Sequence, residues 1–281
     1  MHKDFRDLRI AVIGHTESVT FVDADALPAH GEGIDVRTRY RTAAGGGAVA
    51  AMQLAALGCT VAFFTALGSD DLGNQARQDL TARGVTVHAA RTTKTRQVLS
   101  VRTPDGERTI IHFDHLRSPS AKDPLPWVSL ADCAGAYLCA GDEGAMHAGR
   151  QARLVVASAR VADQCSGMRL DALIASESDA LEQQAIRDHV HLRPVWEITT
   201  RGSDGGTYQA FGQRGSWPAA PLAGPVVDAY GAGDCFAAAV TAALAADWTI
   251  TDALAQGAHA AAACSMRGRP APPIANLLNL T

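Results

Sequence analysis

Phe, Trp and Tyr supply only 5% of this 281-residue chain, although 47% of it is hydrophobic. A core so short of rings has to be built from Ala, Val, Leu and Gly, which suits helices packed closely on a sheet. No run of Lys or Arg stands out and the formal net charge is −4, so nucleic acid and acidic membranes are not expected partners. The six cysteines (Cys59, Cys133, Cys139, Cys165, Cys235 and Cys264) form no Cys-x-x-Cys or Cys/His pattern. They are expected to be small buried hydrophobes in a reducing compartment, not disulfide halves or zinc ligands. The opening Met-His-Lys-Asp-Phe-Arg-Asp is charged and lacks an apolar segment, so no secretory leader is expected. No uninterrupted apolar run reaches the roughly 18 residues a membrane span needs. The nearest, 235–246, is bracketed by Asp234 and Asp247. A cytoplasmic protein is expected.

What is present is alternation. Leu8–Ile13, ending in Gly14, is a short β-branched run typical of a buried parallel strand. Similar runs recur at 61–65, 136–140, 153–157, 171–175 and 195–200, with helices expected over 48–57, 74–83, 235–246 and 252–266. Two stretches interrupt this order. Residues 34–41 alternate apolar and charged, as a strand with one wet face does, and 97–102 with 108–113 read as a hairpin turning at Pro104-Asp105-Gly106. The two stretches, about 18–41 and 96–113, suggest a small separate sheet that covers something. Residues 207–211 and 215–218 read as a further exposed hairpin. The alternation implies a mostly parallel sheet with helices on both faces.

The chemistry concentrates in glycine-bracketed turns. Asp228-Ala-Tyr-Gly-Ala-Gly-Asp234 feeds directly into an apolar helix. Such a turn aims several backbone N–H groups at one spot, where the helix dipole adds partial positive charge. Asp234 then stands where an anion is held, which makes sense of a base acting on a hydroxyl beside a phosphoryl group. An N-capping aspartate after a glycine turn fits the same residues. Gly45-x-Gly47-x-x-Ala50 superficially matches a dinucleotide fingerprint, but its preceding strand is half exposed. The first buried strand is followed instead by Gly14-His15-Thr16-Glu17, so a dehydrogenase is not expected.

Taken in order, four loops carry a resemblance: Ala44-Gly-Gly-Gly-Ala-Val-Ala-Ala51 with Leu57-Gly58, Leu67-Gly-Ser-Asp-Asp-Leu-Gly73, Thr200-Arg-Gly-Ser-Asp-Gly205 and Asp228–Asp234. Their order and spacing resemble the ribokinase-like (PfkB) family of carbohydrate kinases over nearly the whole chain. The resemblance implies a single domain over 1–281, a three-layer α/β/α sandwich with a small β-sheet lid over the sugar site. It implies ATP and Mg²⁺ and a primary hydroxyl of a sugar-like acceptor; exposed edges of the lid sheet, at 18–41 and 96–113, are expected to pair two copies into a homodimer. The resemblance makes Asp234 the base, and Gly231, Ala232 and Gly233 donors to the transferring phosphoryl. Thr200, Gly202 and Gly205 match the segment lining the nucleotide, although an ordinary strand-end turn fits them too. Asp228 matches a position supporting a monovalent cation such as K⁺, or is a turn-capping residue. The family's Asn-x-x-Glu motif falls on Ser176-Glu177-Ser178-Asp179, with Asp179 or Glu177 near Mg²⁺, or all of them simply solvated at a helix start.

Two departures bear on the acceptor. The family's sugar-binding Asp and Asn align with Val19 and Val49. Losing two hydroxyl partners should change the substrate, because sites that pair hydroxyls discriminate strongly. Gly45 and Gly46 are expected beside the acceptor, with Glu17 and Asp142 as replacement partners and His15, Arg96 and His112 as further lining. A nucleoside kinase of the same fold, and a non-catalytic nucleotide or metabolite sensor on it, stand as alternatives.

Overall fold

The computed structural model describes residues 3–104, 108–115 and 117–267. The expected turn at 104–106 and the Pro-rich tail from Gly268 lie wholly or partly outside the described residues. The chain begins β1 (Arg9–Ile13), β2 (Glu17–Asp23), β3 (Arg37–Ala44), α1 (Gly46–Ala56) and β4 (Thr60–Gly68). It continues through α2 (Asp71–Thr81), β5 (Val85–Thr92), β6 (Gln97–Arg102), β7 (Arg108–Phe113), β8 (Gly135–Leu138) and α3 (Glu143–Gly149). Then come β9 (Val155–Ser158), β10 (Ala172–Ser176), α4 (Ala180–His189) and β11 (Trp196–Thr200). The hairpin β12 (Gly206–Ala210) and β13 (Gln213–Trp217) precedes α5 (Ala232–Ala245) and α6 (Ile250–Arg267).

Among the described residues, nine strands form one sheet in the order β13-β12-β11-β10-β9-β8-β1-β4-β5. Its ladders are parallel from β5 to β11, and only the β11–β12–β13 edge is antiparallel. The 206–217 hairpin therefore extends the main sheet. Both faces are covered, and strand periodicity shows it: Ile10 and Val12 enter one apolar cluster while Ala11 and Ile13 enter the other. The first cluster joins the sheet to α1, α2, α5 and α6. Its helix interfaces are largely alanine (Ala48, Ala51, Ala238, Ala242), and where a ring intervenes, Phe236 of α5, it packs on Gly257 of α6. The second cluster holds Leu130, Met146 and Leu173 against the opposite face.

The remaining strands form a separate four-stranded sheet, β3-β2-β6-β7, as the amphipathic stretches imply. β3 starts later than its charge alternation suggests, at Arg37, and runs on to Ala44. β2 is more buried than expected, with Val19, Phe21 and Val22 all inside. β5, which carried no clear sequence signal, forms the far edge of the main sheet. All six cysteines are free and buried, as expected. No described helix is long and apolar enough to cross a membrane.

Candidate active site

A cavity of about 610 Å³ opens between the small sheet and the carboxyl ends of the main strands. Parallel α/β sheets place their ligands there, since helix N-termini and loops converge on that edge. The ends of β1 (His15), β9 (Arg160), β10 (Ser176) and β11 (Thr200) line it, together with the N-terminus of α5.

Asp234 lies in the first turn of α5, half-buried and facing this cavity. It does not cap the helix. The N-cap is Gly231, whose φ of 78° is left-handed, and its position is enforced from below: a β-carbon there would meet Val49 Cγ1 at 2.9 Å. Burial pushes the Asp234 carboxyl up to about 6, opposed by the nearby charge of Arg160 and reinforced by that of Glu182. Gly46 is packed so tightly on this carboxylate that a β-carbon would stand 2.8 Å from Oδ1.

Around Asp234 the expected residues divide. Gly231, Gly233, Gly45, Gly46, Glu17 and Thr200 line the cavity, and so do His15, Arg96 and His112. Ala232 does not; its N–H is turned back onto the Ala229 carbonyl at 3.2 Å, closing the turn. Asp142 is likewise outside. It caps α3 through Ala145 N, accepts from Ala121 N and holds the Ser120 hydroxyl, so its oxygens are spent on the chain itself. Gly202 and Gly205 also lie outside, and the left-handed Gly205 is pressed against the Trp217 carbonyl, where it seats the hairpin. Val19 and Val49 are fully buried and contribute no surface to the cavity.

The acidic segment after β10 also differs from expectation. Asp179 caps α4 through Leu181 N and Glu182 N and pairs with Arg160 at 3.2 Å; Glu177 is exposed. Neither lines the cavity. The carboxylate that does is Glu182, with a side chain 7% exposed, accepting from Ser176 N and from Arg160 Nε, each at 2.7 Å. Burial works against charge on Arg160, but the Glu182 hydrogen bond and the charges of Glu182, Asp234 and Asp179 together outweigh it, and its pKa is raised. With 68% of its side chain accessible, Arg160 offers a fixed positive charge to the cavity. Position 182 lies six residues beyond Ser176, on the next turn of structure, so motif spacing passes over it. Arg160 sits in a sequence, Ser-Ala-Arg-Val, that carries no motif.

A second group lies under the small sheet. Arg96 Nη1 pairs with Glu17 Oε1 at 2.9 Å, while Arg96 Nε is buried without a partner among the described residues. His15 Nε2 accepts from Gly46 N at 3.1 Å, so the neutral ring carries its proton on Nδ1, which is also buried without a partner. Burial, then the Arg96 charge, lowers the His15 pKa to about 4 and keeps the ring neutral. Burial, partly offset by Arg96 and reinforced by Asp234, raises that of Glu17. Tyr230 closes the group from the anion turn, its hydroxyl accepting from Gly45 N at 3.2 Å.

Asp228 is buried below the turn, outside the cavity, and both oxygens face arginines. It accepts from Arg39 Nη1 and from Tyr230 N, and those contacts do not fit a ligand of a metal cation. Among the described residues no cluster of three or more His, Cys, Asp or Glu side chains is placed to hold a metal ion.

A family model described as pfkB family carbohydrate kinase matches residues 7–140 and 131–273. The chain belongs to that family. Among solved structures, a ribokinase from Thermotoga maritima shares 20% identity at a TM-score of 0.76, covering 95% of this chain and 97% of that one. An Arabidopsis thaliana ribokinase, described as complexed with ribose and ATP, shares 21% identity at TM-score 0.72 over 92% of each chain. A Methanocaldococcus jannaschii nucleoside kinase, 13% identical, superposes at TM-score 0.71 over 97% of this chain and 96% of that one. At these identities the superpositions establish the ribokinase fold. No curated protein matches the sequence.

Proposed function

We propose that this pfkB-family protein transfers the γ-phosphoryl of ATP to a primary hydroxyl of a sugar or sugar-like molecule. The observation that carries the reading is Asp234, a carboxylate with its pKa raised to about 6, held at the N-terminus of α5 and open to a cavity of about 610 Å³. A base working near neutral pH needs that proton affinity, and a helix N-terminus supplies the complementary positive field. The Arabidopsis ribokinase described with ribose and ATP supports both substrates by analogy.

In the step itself, the Asp234 carboxylate takes the proton of the acceptor hydroxyl while that oxygen bonds to the γ-phosphorus. The bond from the γ-phosphorus to the bridging oxygen breaks, and ADP leaves with its electron pair. The Gly231–Gly233 turn and the Arg160 guanidinium stabilise charge on the transferring group. Mg²⁺ would be held through the nucleotide phosphates and water, neutralising their charge, while Glu182, its two oxygens taken by Arg160 Nε and Ser176 N, keeps Arg160 in place. Thr200, at the end of β11, marks the nucleotide side of the cavity.

Glu17, Arg96 and His15 read the acceptor. Glu17 accepts a hydroxyl proton, whereas Arg96 Nε and His15 Nδ1 donate to oxygens, replacing the partners lost at Val19 and Val49. Two copies of the chain pair through the lid, whose edge strand β7 exposes Ile110, Ile111 and Phe113. Coupled detection of ADP with a panel of sugars, polyols and nucleosides tests the reading. Turnover with a sugar or polyol supports it, turnover restricted to nucleosides moves it to a nucleoside kinase, and ATP binding without turnover on any acceptor identifies a sensor.

A further inference from the structure

Three strands of the lid each send one arginine to the same two residues at the entrance of the anion turn. From β3, Arg39 Nη1 lies 3.0 Å from Asp228 Oδ2. From β7, Arg108 Nη1 lies 3.6 Å from Asp228 Oδ1. From β6, Arg102 Nη1 donates to the Val227 carbonyl at 2.6 Å. Asp23 on β2 holds two of these arginines from the other side, at 2.9 Å from Arg102 Nε and 3.7 Å from Arg39 Nε.

Asp228 is buried, with a side chain 3% exposed, and its Oδ1 also accepts from Tyr230 N at 2.9 Å. Both carboxylate oxygens are therefore spent. Among the described residues the cluster sets three guanidiniums against two carboxylates. A monovalent cation entering it would add positive charge to a group that carries an excess of it, and would have to displace a guanidinium from a buried oxygen.

The geometry points to a guanidinium latch: Arg39 and Arg108 occupy the position at Asp228 that the family resemblance assigns to a monovalent cation. The inference rests on the kinase reading above. The latch has a mechanical consequence that a bound ion would not have. Through Asp228 it joins lid strands to the Tyr230 amide, and Tyr230 in turn holds Gly45 N through its hydroxyl. Seating of the lid and shape of the anion turn are thus one event, with the arginines as positioning residues for Gly231–Asp234. The protein uses no K⁺ at this site because it carries the charge on its own side chains.

The test compares KCl with choline chloride at equal ionic strength, by thermal denaturation and by calorimetric titration with β,γ-methylene-ATP and Mg²⁺. For the wild type we expect the same melting temperature in both salts and analogue affinity equal within about twofold. In the Arg39→Gln/Arg108→Gln double variant, or Arg108→Gln alone where the double variant does not fold, Asp228 becomes open to cations. There we expect analogue affinity about tenfold weaker in choline, the size of a typical coupling, with part of it recovered in KCl. Arg39→Lys should keep wild-type affinity in both salts, since it keeps the charge.

A wild-type melting temperature that rises selectively with K⁺ overturns the latch. So does a variant whose affinity is unchanged in choline, or weakened equally in both salts. Failure of the analogue to bind wild type in either salt would strike at the ATP reading instead, leaving the melting comparison to decide the latch.

Discussion

Gly46 lies directly against Asp234, so close that a β-carbon at position 46 would sit 2.8 Å from the carboxylate oxygen. The neighbours that would have to give way are the reacting group and His15, whose Cε1 is 3.4 Å from the same point. Gly46→Ala should therefore fold but push the carboxylate aside. Displacements of about 1 Å at a reacting group cost on the order of 10²-fold in rate. Steady-state kinetics should show the loss in kcat, with nucleotide affinity by titration kept; full kcat in the variant would place the chemistry elsewhere.

Asp234→Asn removes the proton acceptor while keeping shape. We expect kcat to fall by about 10³-fold, within the usual range for general-base removal, while the ATP analogue still binds. In the wild type, kcat should rise with pH through an apparent pKa near 6, because only the ionised carboxylate accepts a proton. A profile flat from pH 5 to pH 8 would contradict the assignment.

The same carboxylate should make the protein's stability depend on pH. Its folded pKa, about 6, stands above the ordinary aspartate value of 3.8, so the native state holds the proton more tightly than the unfolded chain. That contribution is complete below the unfolded value and is lost as pH rises through the folded one. Above pH 6 the wild type bears the cost of a half-buried charge, about 2 kcal/mol after allowing for water in the cavity. Asp234→Asn should consequently melt higher than wild type at pH 7–8, with the gap closing towards pH 4. Calorimetric melting across that range checks it, and a variant no more stable at pH 8 than at pH 4, relative to wild type, refutes it.

Arg160 is anchored by Glu182 and Asp179 yet accessible from the cavity. Arg160→Gln takes the charged donor from the buried Glu182 carboxylate and should cost about 1–3 kcal/mol of stability. It should lower kcat by about 10²-fold, as the loss of a charge facing a transferring phosphoryl does. Unchanged kcat would reduce Arg160 to a tether for α4.

Arg96→Ala separates acceptor from nucleotide. Glu17 would lose its ion pair and the cavity a buried donor, so acceptor KM should rise by about 10- to 100-fold while the KM for ATP holds. Equal rises in both would mean that Arg96 merely braces the lid.

Position along the chain was enough to give the fold and to single out the turn that presents Asp234 to the cavity. Buried parallel strands need continuous apolar runs, the lid strands need alternation, and the Gly231–Asp234 turn needs glycine. These are local demands that residues 8–13, 97–113 and 228–234 meet within a few positions of themselves. Local demand also explains the errors. Asp142 and Asp179 look like ligands because an acidic residue before a helix looks the same whether it caps the helix or serves a site. Only the folded chain decides that. Glu182 reaches the cavity from the first turn of α4, Arg160 gains its purpose from a partner 22 residues away, and Asp228 meets Arg39 across 189 residues. Charge carries no marker of its future partner in a linear sequence; the pairing exists only once the sheet and the lid bring those side chains together.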